Sequence, residues 1–370
     1  MLKKVTFSGV KTFKKTTIID FTATKSEILK DTNVKGKILN GGLFFGENGS
    51  GKTAALNSIS ILLDLLFKET TFPGQIICNL LKKKEACFKY EFEQENNEIV
   101  YSFAVNDKSE ITEEKLFLND KEMFSRIKNK VKTILIENDD NDIPATMLFL
   151  RVVYFNNKMY GYPILADWME YLKNSFYIDR TNNRMISFST SSFKETSLIS
   201  YLDKYGSEEM NDFLAKYNIP YRVQFKKTTV LGNEFFSIGV ENLTLKSVCA
   251  LEFESYGNKL LIQLIPYFLT IKKTGGLLII DEFGGGCHNK LNELIVDFLF
   301  KECSNVQTIL VTHETNLLKT SLIRPDQVFI LDYDEEGSYI SKASDESPRE
   351  SQNLEKMYLS GIFGGIPVYD

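Results

Sequence analysis

A glycine-rich loop between an apolar strand and a helix is the feature that most constrains the fold of this sequence. Residues 38–45 form a short apolar run, residues 46–53 read G-E-N-G-S-G-K-T, and residues 53–67 carry apolar side chains at helical spacing. The pattern G-x-x-x-x-G-K-T lets successive backbone N–H groups point at one anion, and the helix N-terminus adds its positive end to the same site. Strand, loop and helix in this order predict a βα unit of an α/β protein with a phosphate-binding loop.

The residues of this loop have distinct predicted roles. Lys52 would reach the β- and γ-phosphates of a nucleotide, and the Thr53 hydroxyl would hold Mg²⁺. An ordinary glycine-rich turn is the alternative, but it seldom has a strand directly before it and a helix directly after it. We therefore expect ATP and Mg²⁺ as ligands, with the nucleotide held by Gly46, Glu47, Asn48, Gly49, Ser50, Gly51, Lys52 and Thr53.

Two adjacent carboxylates follow a second apolar run. Residues 277–282 read L-L-I-I-D-E, and four consecutive apolar residues predict a parallel strand buried on both faces, with ligands at its carboxyl end. Asp281 would join the Mg²⁺ shell, and Glu282 would polarise the attacking water as the catalytic base. A strand that simply ends in acids at a turn is the alternative, which the phosphate-binding loop disfavours.

A second anion site is predicted at Ser255 and Gly257, which open a predicted helix. Taken alone, Ser255 is better explained as an ordinary helix cap. One chain does not need two anion sites for one nucleotide, however. We therefore expect Ser255 and Gly257 to contact the γ-phosphate of a nucleotide held by a second subunit.

Only two histidines occur in the 370 residues, which excludes a multi-histidine metal site. His313 ends the apolar run 307–313 and is predicted to be a hydrogen-bonding sensor of the γ-phosphate, with a purely structural role as the alternative. With Lys52 and Glu282 it completes the predicted catalytic set. His288 is left without a role, and a surface or helix-start position is the preferred interpretation.

The rest of the chain divides by its pattern into segments around this core. Residues 86–118 alternate and are rich in β-formers, whereas residues 146–220 have mixed apolar and charged stretches typical of helices. We expect an N-terminal part of the core at 1–75, a β-rich subdomain at 76–145, a mainly helical insertion at 146–239, a C-terminal part of the core at 240–340, and a C-terminal tail at 341–370 that begins with the polar stretch SKASDESPRES.

Charge and composition narrow the partners and the location. The net charge of −5 disfavours a chain whose whole surface binds nucleic acid, while a local basic face stays open. The clusters Lys82–Lys84, Lys226–Lys227 and Arg126–Lys132 are short, and we interpret them as solvated surface. Five cysteines without a C-x-x-C pair, and no signal-like or membrane-spanning stretch, favour a cytoplasmic protein away from the membrane.

These motifs in this order resemble those of the ABC-type ATPases in the structural-maintenance-of-chromosomes (SMC) and OLD-like branch. The loop N-G-S-G-K-T is similar to Walker A, E-S-x-G to the signature, D-E to Walker B and T-H to the switch histidine. FESYGNKLL, D-E-F and the tail ESQNLEKMYLSGIFGGIP resemble more narrowly the RloA-type or AbiL-type ATPases of bacterial anti-phage defence. The resemblance covers about residues 1–67 and 240–370.

The resemblance implies an α/β P-loop NTPase of ABC type, with a mixed core sheet, an antiparallel β subdomain, and a slow ATPase activity in a dimer that closes around ATP. It further implies a sensor or regulatory subunit of an abortive-infection system that controls an effector in trans. The alternative is a DNA-binding ATPase of DNA repair or chromosome maintenance, of the SMC and RecF kind. Two departures stand out: Gly284–Gly286 replaces the expected D-loop, and Gln75 is the only candidate for a Q-loop.

Overall fold

The structure, a computed structural model, describes residues 1–78, 84–135, 143–156, 159, 161–182, 184–189, 198–349 and 352–366. The strands of this part of the chain are β1 (Leu2–Ser8), β2 (Thr17–Asp20), β3 (Val34–Lys35), β4 (Ile38–Leu39), β5 (Gly41–Gly46), β6 (Glu85–Gln94), β7 (Asn97–Asn106), β8 (Ile111–Leu118), β9 (Lys121–Ile127), β10 (Lys130–Thr133), β11 (Phe176–Asp179), β12 (Arg184–Ser187), β13 (Tyr221–Val230), β14 (Asn233–Asn242), β15 (Ser247–Ala250), β16 (Gly276–Phe283), β17 (Val306–Thr312), β18 (Val328–Asp334) and β19 (Gly337–Lys342). The helices are α1 (Lys30–Asn33), α2 (Lys52–Phe67), α3 (Phe149–Phe155), α4 (Pro163–Lys173), α5 (Leu198–Tyr205), α6 (Glu208–Lys216), α7 (Tyr256–Thr274), α8 (Asn289–Glu302) and α9 (Leu354–Leu359).

A mixed sheet forms the centre of the molecule. Its strand order is β12-β11-β16-β17-β5-β18-β19. The five inner strands are parallel, and β12 and β19 pair antiparallel at the two edges. Side chains of β16 and β17 are buried on both faces, as expected for the inner strands of a parallel sheet covered on both sides.

A second, antiparallel sheet covers one side of this centre. Its order is β10-β9-β8-β7-β6-β1-β2, so the N-terminal strands pair with the β-rich segment that follows them by more than sixty residues. Alternate side chains of β6 and β7 point inward, and Trp168 of α4 packs fully buried between Phe92 and Tyr101.

Helix α2 lies between the two sheets. Its apolar side chains share one hydrophobic core with the antiparallel sheet and with Leu277 and Ile279 of β16. The neighbouring residues Leu278 and Ile280 point to the opposite face, where they form a second core with α7 and α8. The order of layers is thus antiparallel sheet, α2, mixed sheet, then α7 and α8, and the phosphate-binding loop begins at the end of a strand of the mixed sheet.

The segment 146–239, expected to be a mainly helical insertion, contains α3 to α6 but also contributes to the core. Strand β11 pairs in parallel with β16, with Asp179 opposite Asp281. Strands β13 and β14 form an antiparallel hairpin, and the boundary expected at 239/240 falls inside β14. The helical interpretation was wrong for β11 and β12, because strands of four residues have too few positions to reveal a period of two.

The C-terminal tail contributes to the core, since Leu354 and Tyr358 are buried in the core of α7 and α8. Arg126, expected on a solvated basic face, is fully buried and donates to the carbonyl oxygens of Lys128 and Met147, both at 2.6 Å. Among the described residues, no helix is long and apolar enough to cross a bilayer.

Candidate nucleotide site

Three adjacent parallel strands of the mixed sheet, β16, β17 and β5, place the predicted site residues at their carboxyl ends. Strand β17 lies between β16 and β5. The loop 46–53 follows β5, the acidic pair lies at the end of β16, and His313 follows β17 directly. Since carboxyl ends of parallel strands point the same way, residues that are more than two hundred positions apart along the chain meet in one cleft.

Lys52 is held inside the phosphate loop. Its ammonium group donates to the carbonyl oxygens of Gly46 and Glu47, both at 2.9 Å, and the residue is only 6% exposed. Burial lowers the pKa of Lys52, while the charges of Glu282, Asp281 and Glu47 oppose that shift. The lysine is therefore positioned among acidic groups, beside the helix N-terminus that would face an anion.

Asp281 is the buried member of the acidic pair. It is 5% exposed, and it accepts a hydrogen bond from the Thr53 hydroxyl. Burial raises the pKa of this carboxyl, and the nearby charge of Glu282 adds to the shift. Its Oδ1 atom and the Ser50 hydroxyl are buried without a hydrogen-bond partner. Buried oxygens of this kind are costly unless a ligand uses them.

Glu282 has an unusual backbone for a strand residue. Its φ is +59°, and the pairing of β16 with β17 shifts register between Ile280 and Phe283. A bulge of this kind re-aims a side chain at the end of a strand, and a left-handed non-glycine residue stores about 1–3 kcal/mol of strain. The carboxylate consequently leaves the plane of the sheet, half-exposed, and lies 3.9 Å from Nε2 of His313.

His313 lies at the rim of the same cleft and is also half-exposed. Burial lowers its pKa below the ordinary value, and the positive charge of Lys52 lowers it further, with Glu282 acting in the opposite direction. The neutral imidazole is thus the favoured form at neutral pH. A neutral imidazole can both donate and accept a hydrogen bond, as a phosphate sensor requires.

Ser255 and Gly257 open α7, as predicted, and Ser255 is exposed whereas Gly257 is half-buried. Ser255 is the exposed N-cap, and its hydroxyl accepts from the backbone N–H of Asn258 at 3.3 Å. Gly257 packs against the loop after β16, where a Cβ atom would lie 2.7 Å from the carbonyl oxygen of Gly286. The cap interpretation of Ser255 therefore holds within one chain, and its role toward a second subunit stays a prediction.

The sequence reasoning missed Arg180, which follows β11. Its backbone N–H donates to the carbonyl oxygen of Asp281 at 3.3 Å, and its guanidinium donates to Gly285 O at 2.8 Å and to the Tyr256 hydroxyl at 3.2 Å. The residue is 9% exposed. It links the start of α7 to the loop after the acidic pair. A prediction of β11 as a strand of the core sheet would have placed Arg180 at the carboxyl end of that sheet, beside the acidic pair.

The structure also shows the positions of His288 and Gln75, for which the sequence predicts no definite role. The Nδ1 atom of His288 caps α8 by accepting from the backbone N–H of Lys290 at 3.2 Å, which confirms the helix-start interpretation. Gln75, the Q-loop candidate, is exposed in a single 3₁₀ turn whose neighbour Ile76 accepts from the backbone N–H of Lys11. Its role stays a prediction. Lys82 and Lys83 lie outside the described residues.

The donors present fit Mg²⁺ together with a nucleotide. Thr53 offers a hydroxyl and Asp281 a carboxylate with one free buried oxygen, and both are hard oxygen ligands. The described residues contain no group of three or more His, Cys, Asp or Glu side chains that could hold a metal alone. An ion here would therefore share its coordination with phosphate oxygens and water, as Mg²⁺ commonly does.

Comparisons with known proteins give a family match over part of the chain and a fold match over almost all of it. The sequence profile of a family described as "AAA domain, putative AbiEii toxin, Type IV TA system" matches residues 162–319, which include β11 and the β13–β14 hairpin as well as the acidic pair. A search of curated proteins gives no significant match. The profile thus reaches into the segment that the motifs left unexplained.

Solved structures are similar over almost the whole chain. The SMC head domain from Thermotoga maritima has a TM-score of 0.51 and 16% identity, with 92% of this chain and 98% of that chain covered. The SmcHead bound to the C-winged helix domain of ScpA has a TM-score of 0.52 and 16% identity, with 97% and 99% covered. Likeness at this identity concerns the fold, and the fold of this chain is that of an SMC head, an ABC-type P-loop NTPase fold with an antiparallel β subdomain.

Proposed function

We propose that this protein is an ATPase that binds ATP in the cleft formed by the phosphate loop, the acidic pair and His313. One observation carries the proposal: Lys52 of the phosphate loop, the acidic pair at the end of β16 and His313 after β17 lie at neighbouring strand ends, with Glu282 3.9 Å from His313. Four groups from three strand ends therefore share one opening. Perturbed titratable groups gathered in a cleft are typical of active sites.

The residues divide the chemistry among themselves. The amides of the phosphate loop and Lys52 bind and orient the phosphates, and Thr53 and Asp281 hold Mg²⁺, which when bound neutralises charge on the β- and γ-phosphates. Glu282 accepts the proton of the attacking water and orients it. The hydrolysis yields ADP and phosphate, and the half-exposed positions of Glu282 and His313 suit groups that meet the γ-phosphate at the mouth of the cleft.

A second copy of the chain would complete the site. Ser255 is exposed at the start of α7, and three large apolar side chains in the ten residues before it are also exposed, namely Leu245, Val248 and Phe253. Exposed apolar side chains in the segment that leads into a helix N-terminus suit a surface that is covered by a partner and presents that N-terminus to an anion. We therefore infer an ATP-dependent homodimer in which Ser255 and Gly257 of one subunit face the nucleotide of the other.

Phosphate release from ATP is the direct test. The wild-type protein should hydrolyse ATP slowly in the presence of Mg²⁺, and Lys52→Ala should lose ATP binding as well as turnover. Equal phosphate release by the wild type, Lys52→Ala and Glu282→Gln would contradict the assignment of this cleft. Light scattering with and without ATP tests the dimer on the same samples.

The biological role we propose is a sensor or regulatory ATPase of a bacterial anti-phage system, of the RloA or AbiL kind, that controls an effector in trans. The family description, which names an AbiEii toxin and a toxin–antitoxin system, supports this placement. The product of the adjacent gene is the candidate effector. Co-expression and affinity purification test it, and absence of that product from the complex both with and without ATP would reject the role.

The second candidate is a DNA-binding ATPase of repair or chromosome maintenance, which the SMC-head fold favours. Local charge argues against it, because Arg126 is buried and Lys227 pairs with Asp203 at 3.1 Å and Glu234 at 2.9 Å. Duplex DNA that stimulates hydrolysis, with a strong dependence on salt, would favour this function instead.

A further inference from the structure

The C-terminal residues 353–366, here called the strap, pack beside the nucleotide cleft. Leu354 is 1% exposed, and Tyr358 and Phe363 are each 7% exposed within the core formed with α7 and α8. The ring of Tyr358 lies 5.4 Å from that of Phe45, which directly precedes Gly46 in β5. The strap is thus fixed against the strand that leads into the phosphate loop.

The end of the strap contacts the first glycine of that loop. The Tyr358 hydroxyl donates to Gly365 O at 3.1 Å, and the N–H of Gly365 donates to a carboxylate oxygen of Asp332 at 2.9 Å. Gly365 has a φ of +68°, and a Cβ atom there would lie 2.7 Å from Ile330 Cγ2, 3.1 Å from Leu331 O and 3.4 Å from the Cα atom of Gly46. Leu331 pairs with Gly46, so glycine allows the strap to pack closely on β18 at the point where the phosphate loop begins.

The start of the strap contacts the loop that carries His313. The Thr315 hydroxyl donates to Glu355 Oε1 at 2.8 Å, and Thr315 lies two residues after His313. Leu317 and Leu318 of this loop are buried in the same core as Leu354. We call residues 313–318 the sensor loop. The strap consequently contacts both loops that border the cleft, one at each of its ends.

We propose that the strap sets the sensor loop against the phosphate loop, so that Glu355 and Gly365 are positioning residues for ATP hydrolysis. The inference rests on the proposed function of the cleft. The two residues act on different steps, because Glu355 contacts the loop that carries the γ-phosphate sensor and Gly365 contacts the loop that binds the phosphates. A misplaced sensor lowers turnover, whereas a displaced phosphate loop lowers affinity.

Steady-state kinetics on paired variants test the contact with the sensor loop. Glu355→Ala should lower kcat about tenfold with KM changed less than about twofold. Glu355→Gln keeps an acceptor oxygen for the Thr315 hydroxyl and should retain wild-type kinetics. Thr315→Val should reproduce the loss of Glu355→Ala, and the double variant should add nothing further.

Affinity for ATP tests the other end. Gly365→Ala should weaken ATP binding about tenfold, measured by titration at equilibrium. Gly361→Ala is the matched control, because Gly361 also has a positive φ, of +78°, but no atom lies within 4 Å of a Cβ atom placed there. Backbone strain from a positive φ would weaken ATP binding equally in Gly365→Ala and Gly361→Ala. Equal affinity of the two variants for ATP would therefore rule out the close packing at Gly365 as the cause.

Hydrogen exchange without nucleotide tests the role of the strap independently of the proposed ATPase function. Without nucleotide, Glu355→Ala should speed exchange of the backbone N–H groups of residues 313–318, and Glu355→Gln should leave their protection unchanged. Unchanged exchange in Glu355→Ala, or a parallel fall of kcat, KM and thermal stability in both Glu355 variants, would overturn the inference. A wild-type protein that binds no ATP would reject the proposed function, while the exchange result would still decide whether the strap positions the sensor loop.

Discussion

The carboxylate of Glu282 lies 3.9 Å from the imidazole Nε2 of His313, although the two residues end different strands. The contact depends on the bulge at the end of β16, where the left-handed backbone of Glu282 turns its side chain toward the end of β17. Neither group is buried, and both face the opening where a γ-phosphate would lie under the proposed function. Substitutions of Glu282 and His313 should therefore test the chemistry of the site with little disturbance of the core.

We expect Glu282→Gln to lower the rate of ATP hydrolysis by about 100-fold or more, because a glutamine cannot accept the proton of the attacking water. ATP binding should be retained, so the ATP-bound dimer should accumulate in light scattering. Glu335→Gln, a change of the same kind in the exposed turn between β18 and β19, should leave the rate unchanged. Unaltered turnover in Glu282→Gln would remove this residue from the catalytic set.

The same position should show a conflict between stability and activity. Glu282→Gly relieves the left-handed strain and should be about 0.5–1 kcal/mol more stable to unfolding than Glu282→Gln, although both are inactive. Glu314 is the matched control, because its φ is −78°. There Gly should be less stable than Gln, by about 0.5–1 kcal/mol. Chemical denaturation of the four variants measures both differences, and the same sign at both positions would contradict the strain at Glu282.

His313 should titrate below the ordinary histidine pKa in the protein without nucleotide, since burial and the charge of Lys52 both disfavour the imidazolium. NMR titration of the imidazole can measure this, and His288→Gln assigns the second of the two histidine signals. The sign follows from proton binding. The unfolded state takes up the proton first as the pH falls, so the contribution of neutral His313 to stability is complete above pH 6.5 and is lost as the pH falls from 6.5 toward the lower pKa of the folded state.

His313→Gln should therefore lose less stability than the wild type between pH 7 and pH 5.5. Urea denaturation at the two pH values gives the comparison. A larger loss in the variant would mean that the folded protein binds the proton more tightly than the unfolded chain, contrary to the expected direction of the pKa shift.

The elements of the fold that could be predicted from the sequence are those whose pattern is set by residues close together in the chain. The phosphate loop, the buried run before Asp281 and the helix starting after Ser255 each have a pattern set by neighbouring residues, and the structure has a strand or helix at each of those places. Period-two alternation likewise indicated the antiparallel strands β6 to β8. Such patterns depend on burial and backbone geometry within one element.

Features that depend on distant partners could not be predicted in this way. Strand β11 joins the core only because β16 offers it an edge, and Arg180 acquires its contacts with Tyr256 and Gly285 through that pairing. The sequence alone indicates a surface charge at Arg126, because the carbonyl oxygens that accept its hydrogen bonds belong to a separate loop. Tertiary context decided these positions, as it generally does where local propensity is weak.

The buried Glu114 joins the β subdomain to α3, and its loss should be severe. Its carboxylate accepts from the Tyr101 hydroxyl at 2.8 Å and from the backbone N–H groups of Phe149 and Leu150, and Arg126 lies 3.7 Å away. Burial raises its pKa. Glu114→Ala should cost about 3–5 kcal/mol of unfolding free energy, because it leaves the backbone N–H groups of Phe149 and Leu150 without their acceptor as well as the arginine without its counter-charge.

Glu114→Gln should cost clearly less, since it keeps an acceptor for the helix N-terminus. Urea unfolding measures both changes. Addition of Arg126→Leu to Glu114→Ala should recover part of the loss, whereas purely additive effects of the two changes would show that the charges do not interact.

The strongest test of the proposed dimer mixes two inactive variants. Lys52→Ala removes the phosphate-binding lysine, and Ser255→Asp keeps the helix cap but adds a negative charge that would repel a phosphate. A mixed dimer has one intact cleft facing one intact Ser255. An equal mixture should therefore regain roughly a quarter of the wild-type ATPase rate, since half of the dimers are mixed and each has one working site of two. If Ser255 serves only the nucleotide of its own chain, both sites in every mixed dimer carry a defect, and the mixture should stay inactive.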